Sequence, residues 1–239
     1  MMLAFSIVQF VLHGGFFMYL LLICSVVSLA AIYLRATALR QEQVMPPEIV
    51  GEIEALPPGN TPSLARLTGL VRENPAPLAR IVATCLQYLD RPREENMEAV
   101  QSRARKEVME MEAGLGVLEV IVGVAPLLGL LGAVAGLVTV FGELGTSETI
   151  SDPRTIALGI SEALNTTIAG LAIAIPSLIA HSWFARRVEK LAMAMELVVG
   201  ELIMKRYTPA PPPPEKKRRV VRKSAAASAP APNSESETV

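Results

Sequence analysis

Glu162, Asn165, Thr166 and Thr167 fall within six residues of GISEALNTTIAG, at the head of a run that stays apolar to about Ala180. A carboxylate, a carboxamide and hydroxyls are the groups that solvate a proton or a small cation. On a helix turning about 100° per residue, with Glu162 at zero, Thr166 lies at about +40° and Asn165 at about −60°. Ala169, Ile173 and Ser177 continue the same face, which is polar at one end and small or apolar further in. An ionised carboxylate at the centre of a bilayer costs about 3 kcal/mol or more, so Glu162 must face a protein interior or a water-filled cavity. The alternative is a carboxylate near enough to the interface to reach water, with Asn and Thr serving only as hydrogen bonds between helices. On the first reading Glu162, Thr166 and Asn165 line an ion or proton pathway.

The elements that must position these groups are membrane spans. The chain is 51% hydrophobic but only 5% aromatic, so its apolar content is aliphatic, as in a membrane protein. Three stretches reach the roughly 20 residues needed to cross hydrocarbon as helix: 15–35, 114–141 and 156–182. No Lys or Arg precedes Arg35, and the first run is longer than the apolar core of a signal peptide, which favours a retained span. Of the 22 Lys and Arg side chains, all but Arg154 lie either from Arg35 to Lys106 or from Arg186 onward. The positive-inside rule then places 36–113 and the C-terminal tail in the cytoplasm, with the N-terminal segment 1–14 and the loop 142–155 outside.

The expected fold class is all-α, a polytopic membrane protein with three transmembrane helices, two of them extended into the cytoplasm. The segment MMLAFSIVQFVL reads as a short interfacial helix ended by Gly14 and Gly15. Pro-rich joints divide the first cytoplasmic region into short helices at about 61–73 and 76–90. From Pro92, Met97, Val100, Ala104, Val108, Met111, Leu115 and Leu118 recur at helical spacing, predicting one helix that runs straight into the second span. The third span likewise continues through 183–207. The tail 208–239 is Pro, Ala, Ser and charge and lacks the apolar content to fold. Its KKRRVVRK run reads as a solvated patch near anionic lipid rather than a nucleic-acid site.

Gly129, Gly132 and Gly136 give the second span a small-residue stripe along which another backbone can approach, and Pro126 and Pro176 each remove a helical hydrogen bond from their spans. These five are read as helix-packing residues. Glu119 is either an ion-pair partner near the membrane surface or a hydrated carboxylate, and a lone His181 is read against a proton relay. Cys24 and Cys85 fall on opposite sides of a membrane boundary and are read as small packing residues. No HExxH, GxSxG or paired membrane aspartate is present, so neither an enzyme nor a metal or cofactor site is expected.

HGGFFMYLLLICSVVSLAAIYLR, VAPLLGLLGAVAGLVTVF and GISEALNTTIAGLAIAIPSLIAHSWFARR, in this order and spacing, resemble the MotA/TolQ/ExbB family, on its ExbB and TolQ branch. The resemblance implies a homo-oligomer, a pentamer, in the bacterial inner membrane, with its N-terminus periplasmic and its C-terminus cytoplasmic. It implies an ExbD/TolR-like single-span partner carrying an essential membrane Asp, proton flow that powers envelope transport or maintenance, and a TonB-like or other envelope protein as further partner. Within this pattern the acid of GIxEAL and a threonine five residues later line the lumen, which fall on Glu162 and Thr167. By the helical wheel Thr167 lies about 140° from Glu162, and Thr166 is the nearer neighbour. The family pattern often has Thr where this chain has Ala133, which favours protons over sodium. A non-conducting membrane scaffold, organising partners through its cytoplasmic helices, is the competing reading.

Overall fold

The computed structural model describes residues 15–57, 64–146 and 153–207. Among them every regular element is a helix: α1 (Gly15–Ala38), α2 (Gln41–Val44), α3 (Pro47–Ala55), α4 (Leu64–Glu73), α5 (Pro77–Gln87), α6 (Arg93–Ala113), α7 (Gly116–Thr146) and α8 (Pro153–Tyr207). The fold is all-α, and three helical stretches are long and apolar enough to cross a membrane: Phe16–Ala38, Arg93–Gly142 and Ile156–Tyr207. The expected N-terminal interfacial helix and the tail from Thr208 lie outside the described residues.

Local chemistry sets the helix ends. Arg35 sits in the last turn of α1, and Lys205 and Arg206 in the last turn of α8, where cations meet the negative end of the helix dipole. Pro47 and Pro77 open α3 and α5 at first-turn positions that need no N–H donor. The heptad-like stripe predicts one helix from Pro92 into the second span, and the helical stretch Arg93–Gly142 does run through, with a tight turn at residues 114–115 that divides it into α6 and α7. Leu115 N–H donates to Glu112 O at 2.7 Å, a tightened i to i−3 bond that separates α6 from α7. Gly114 at this turn leaves room for the Arg35 guanidinium, which a Cβ would strike. Periodicity alone does not reveal the turn, because Met111 and Leu118 are buried on either side of it.

Two cores result. In the membrane layer, Met18 and Leu21 of α1 pack on Ile121 and Ala125 of α7 and Ala174 of α8. In the extramembrane layer, Val188, Leu191, Met195, Val199 and Leu202 form a buried stripe along α8, against which α3, α5 and α6 pack, with α4 lying on α3 and α5. Polar ties hold the second core. Lys205 Nζ donates to Ile53 O at 3.0 Å and Glu54 O at 2.7 Å, capping the carbonyls at the end of α3, and pairs with Glu201 at 2.6 Å. Asn96 is fully buried and donates through Nδ2 to Cys85 O and to the Tyr207 hydroxyl, each at 3.2 Å, while that hydroxyl donates to Arg91 O at 3.0 Å.

Glu107 is the buried charge of this layer. Arg103 reaches it at 2.8 Å from one turn back on α6, and Arg80 reaches it at 3.1 Å from α5. Burial pushes its carboxyl above the usual range against the pull of the two guanidinium groups. Cys24 and Cys85 are free thiols, and burial pushes the Cys85 thiol up to about 11.

Candidate ion-pathway face

The site is built where α8 lies along α7. A Cβ added at Gly129 would stand 2.8 Å from Thr166 O, and one at Gly170 would stand 2.5 Å from Ala125 O, so at this crossing only hydrogen fits on either helix. A Cβ added at Gly136 would stand 3.1 Å from the Ala163 methyl, and one at Gly132 would stand 3.0 Å from Thr166 Oγ1 and 3.1 Å from Phe17 Cβ. The stripe Gly129, Gly132, Gly136 therefore receives α8 of the same chain, and at Gly132 also α1. Close approach of this kind supplies dispersion contact where lipid offers no hydrophobic drive.

That crossing fixes which side of α8 is turned inward. Thr166 is 3% exposed, and its hydroxyl is shared between Ala163 O at 2.8 Å and Gly129 O at 3.0 Å. Thr167 is half-buried, with Oγ1 3.4 Å from the same Gly129 carbonyl. Ala163, Gly170, Ala174 and Ser177 complete the inward face. Ser177 donates to Ile173 O at 2.7 Å and lies 2.6 Å from Ser28 Oγ of α1; with its one proton so used, Ser28 donates the bond between them.

Glu162 lies on the other side. It is exposed, with Ser161 exposed beside it and Asn165 half-buried one turn on. Among the described residues neither Glu162 nor Asn165 has an ion-pair or hydrogen-bond partner through its side chain. Half-buried Ala169, then Ala172 and Pro176, both exposed, continue this face toward the extramembrane layer, a shallow track of small side chains. The structure thus groups Glu162 with Asn165 and Ser161, and Thr166 and Thr167 with α7. Ser161 was not singled out from the sequence; its place at about −100° on the wheel, beside Asn165, was the available signal.

The other groups take quieter positions. Ala133 is 8% exposed. Pro126 is half-buried within α7, and Pro176 is exposed within α8. Glu119 is exposed without an ion pair among the described residues, and His181 is half-buried. No group of three His, Cys, Asp or Glu side chains that could hold a metal occurs among the described residues.

Comparison with known proteins matches this arrangement to a family. Residues 73–197, from the end of α4 through most of α8, fit the MotA/TolQ/ExbB proton channel family. A biopolymer transport protein ExbB homolog of Methanothermobacter thermautotrophicus is 30% identical over 195 residues, 81% of this chain and 68% of that one. Biopolymer transport protein ExbB of Helicobacter pylori is 40% identical over 84 residues, 35% of this chain and 57% of the relative. Tol-Pal system protein TolQ of Pseudomonas aeruginosa is 37% identical over 93 residues, 39% of this chain and 40% of the relative. With this match over more than half its length, the chain belongs to the MotA/TolQ/ExbB proton channel family.

Proposed function

We propose that the chain is an ExbB/TolQ-like stator subunit of an inner-membrane complex driven by the proton-motive force. Copies of the chain, five in the complete assembly, enclose an ExbD/TolR-like single-span partner, and Glu162 with Asn165 and Ser161 lines the water-filled passage between them. The observation that carries this reading is the exposure of Glu162 on a membrane-spanning helix, with Asn165 beside it and no partner for either among the described residues. Lipid cannot satisfy those groups, so water or another protein surface must cover them. The inward Thr166 and Thr167 hold α8 in the register that aims Glu162 at the passage.

The driving force is electrical as well as chemical: about 2.3 kcal/mol per charge for each 100 mV across the membrane. A carboxylate at the passage wall concentrates protons and orders water, while the partner's membrane carboxylate takes up and releases the proton. The work goes to envelope transport or maintenance through a TonB-like or other envelope protein. By the positive-inside rule the extramembrane layer lies in the cytoplasm and the segment between α7 and α8 in the periplasm.

The intact mass of the complex, extracted from its native membrane in mild detergent, tests this reading. Five copies with a small Asp-bearing one-span protein are expected. A homo-oligomer free of such a partner in several detergents would favour the scaffold reading and reduce Glu162 to a packing residue.

A further inference from the structure

Between α1 and α8, at the end of the spans nearest the extramembrane layer, lies an open groove of about 430 Å³ lined entirely by Ile32, Pro176, Ile179, Ala180, Trp183 and Phe184. Phe184 forms its buried floor, and Trp183, 59% exposed, stands at its edge with the two rings edge to face at 5.0 Å. An indole at this depth suits the boundary between hydrocarbon and head groups.

Cations gather one turn beyond the apolar lining. Arg186 and Arg187 follow Trp183 by three and four residues, so both rise from the α8 face that forms the groove, while the Arg35 guanidinium of α1 lies against Gly114. Arg187 Nε donates to Leu39 O at 3.5 Å, which ties the two walls together beneath the groove. Among the described residues none of these arginines takes part in an ion pair, and the first carboxylate on α8 beyond them is Glu189. An apolar slot that ends at unneutralised guanidinium groups matches an acyl chain below an anionic phosphate.

We propose that this groove is a binding site for a single anionic phospholipid of the cytoplasmic leaflet, with an acyl chain against Trp183 and Phe184 and the head-group phosphate on the arginines. The leaflet follows from the proposed topology, and Pro176 is shared between this groove and the small-residue track that leads from Glu162. Because a lipid seated here bridges α1 and α8, it would stiffen the outer helix against the helix that carries Glu162.

Trp183 is the only tryptophan in the chain and reports directly on the groove. The full-length protein is reconstituted in phosphatidylcholine vesicles containing increasing fractions of dibrominated phosphatidylglycerol or dibrominated phosphatidylcholine, and tryptophan quenching is followed. About 1 kcal/mol per surface cation converts to a preference of about fivefold for the anionic lipid. Arg186→Gln, which breaks no bond within the described residues, should reduce that preference, and adding Arg187→Gln should bring it close to parity. As a control, Trp183→Phe combined with Leu34→Trp moves the reporter about 200° round α1 from Ile32 at similar depth and should show no preference. Equal quenching by both lipids would mean ordinary boundary lipid, an equal preference at position 34 would mean diffuse surface charge, and no quenching by either would mean that protein covers the groove. Each of these three results overturns the proposal.

Discussion

The Thr166 hydroxyl lies 3.0 Å from the Gly129 carbonyl oxygen, while Glu162, one turn earlier on the same helix, remains on the open surface. The crossing sorts the polar groups of α8 into an inward set that holds the helix pair, Thr166 and Thr167, and an outward set on the open surface, Ser161, Glu162 and Asn165. Thr166→Val should therefore lower the detergent melting temperature slightly, with a loss of about 0.6 kcal/mol as is usual for hydrogen bonds between membrane helices. Energy coupling should remain above half. A complete loss of coupling in well-assembled Thr166→Val protein would place that hydroxyl in the passage instead.

The Gly129–Gly170 crossing makes a sharper structural prediction. Gly170→Val drives side-chain carbon into the Ala125 carbonyl, and relief requires the two backbones to separate. Folded yield should collapse. Gly123→Ala, where a Cβ meets nothing within 4 Å, should leave the yield unchanged. Membrane expression and size-exclusion profiles of the two variants provide the comparison.

Glu107 separates a buried ionic tie from surface ones. Glu107→Leu removes the acceptor from Arg80 and Arg103 together and should cost about 1–3 kcal/mol, whereas Glu110→Gln, at an exposed pair, should cost less than about 1 kcal/mol. Its raised folded-state pKa sets the pH dependence. An acid shifted upward contributes most below its unfolded value of about 4.3 and loses that contribution as pH rises through the folded value. The stability of wild type relative to Glu107→Gln should thus fall with rising pH, which chemical-denaturation midpoints across that range would reveal; a rise would show that the arginines outweigh burial.

Cys85 should be silent in the native protein. It is fully buried and its thiol is pushed up to about 11, so hardly any thiolate exists at neutral pH and no reagent reaches it. A maleimide should label Cys85 only after denaturation. Rapid native labelling would mean that the α5–α6 contact opens readily.

The three spans were legible in the sequence because each is an unbroken aliphatic run of sufficient length, and the long extension of α8 because its apolar stripe persists to Tyr207. The grouping of the polar residues was not. A helical wheel places Thr166 about 40° and Asn165 about 60° from Glu162, but only the position of α7 decides which neighbour turns inward. The glycine stripe announced a close approach without saying that α8 of the same chain makes it. Glu107 and Arg80 are 27 positions apart on different helices, and no local periodicity joins them. The Gly114–Leu115 turn was hidden by an apolar stripe that continues across it.

The central claim is that Glu162 lines the proton passage, and proton flux through reconstituted complex carrying Glu162→Gln tests it most directly. The substitution preserves size and hydrogen-bonding capacity but removes the charge, so the complex should assemble with normal mass and with its melting temperature nearly unchanged. Proton entry under an imposed membrane potential should fall at least tenfold, equivalent to about 1.4 kcal/mol on the barrier. Wild-type flux from a normally assembled Glu162→Gln complex would contradict the account and leave the carboxylate as a surface group without a part in conduction.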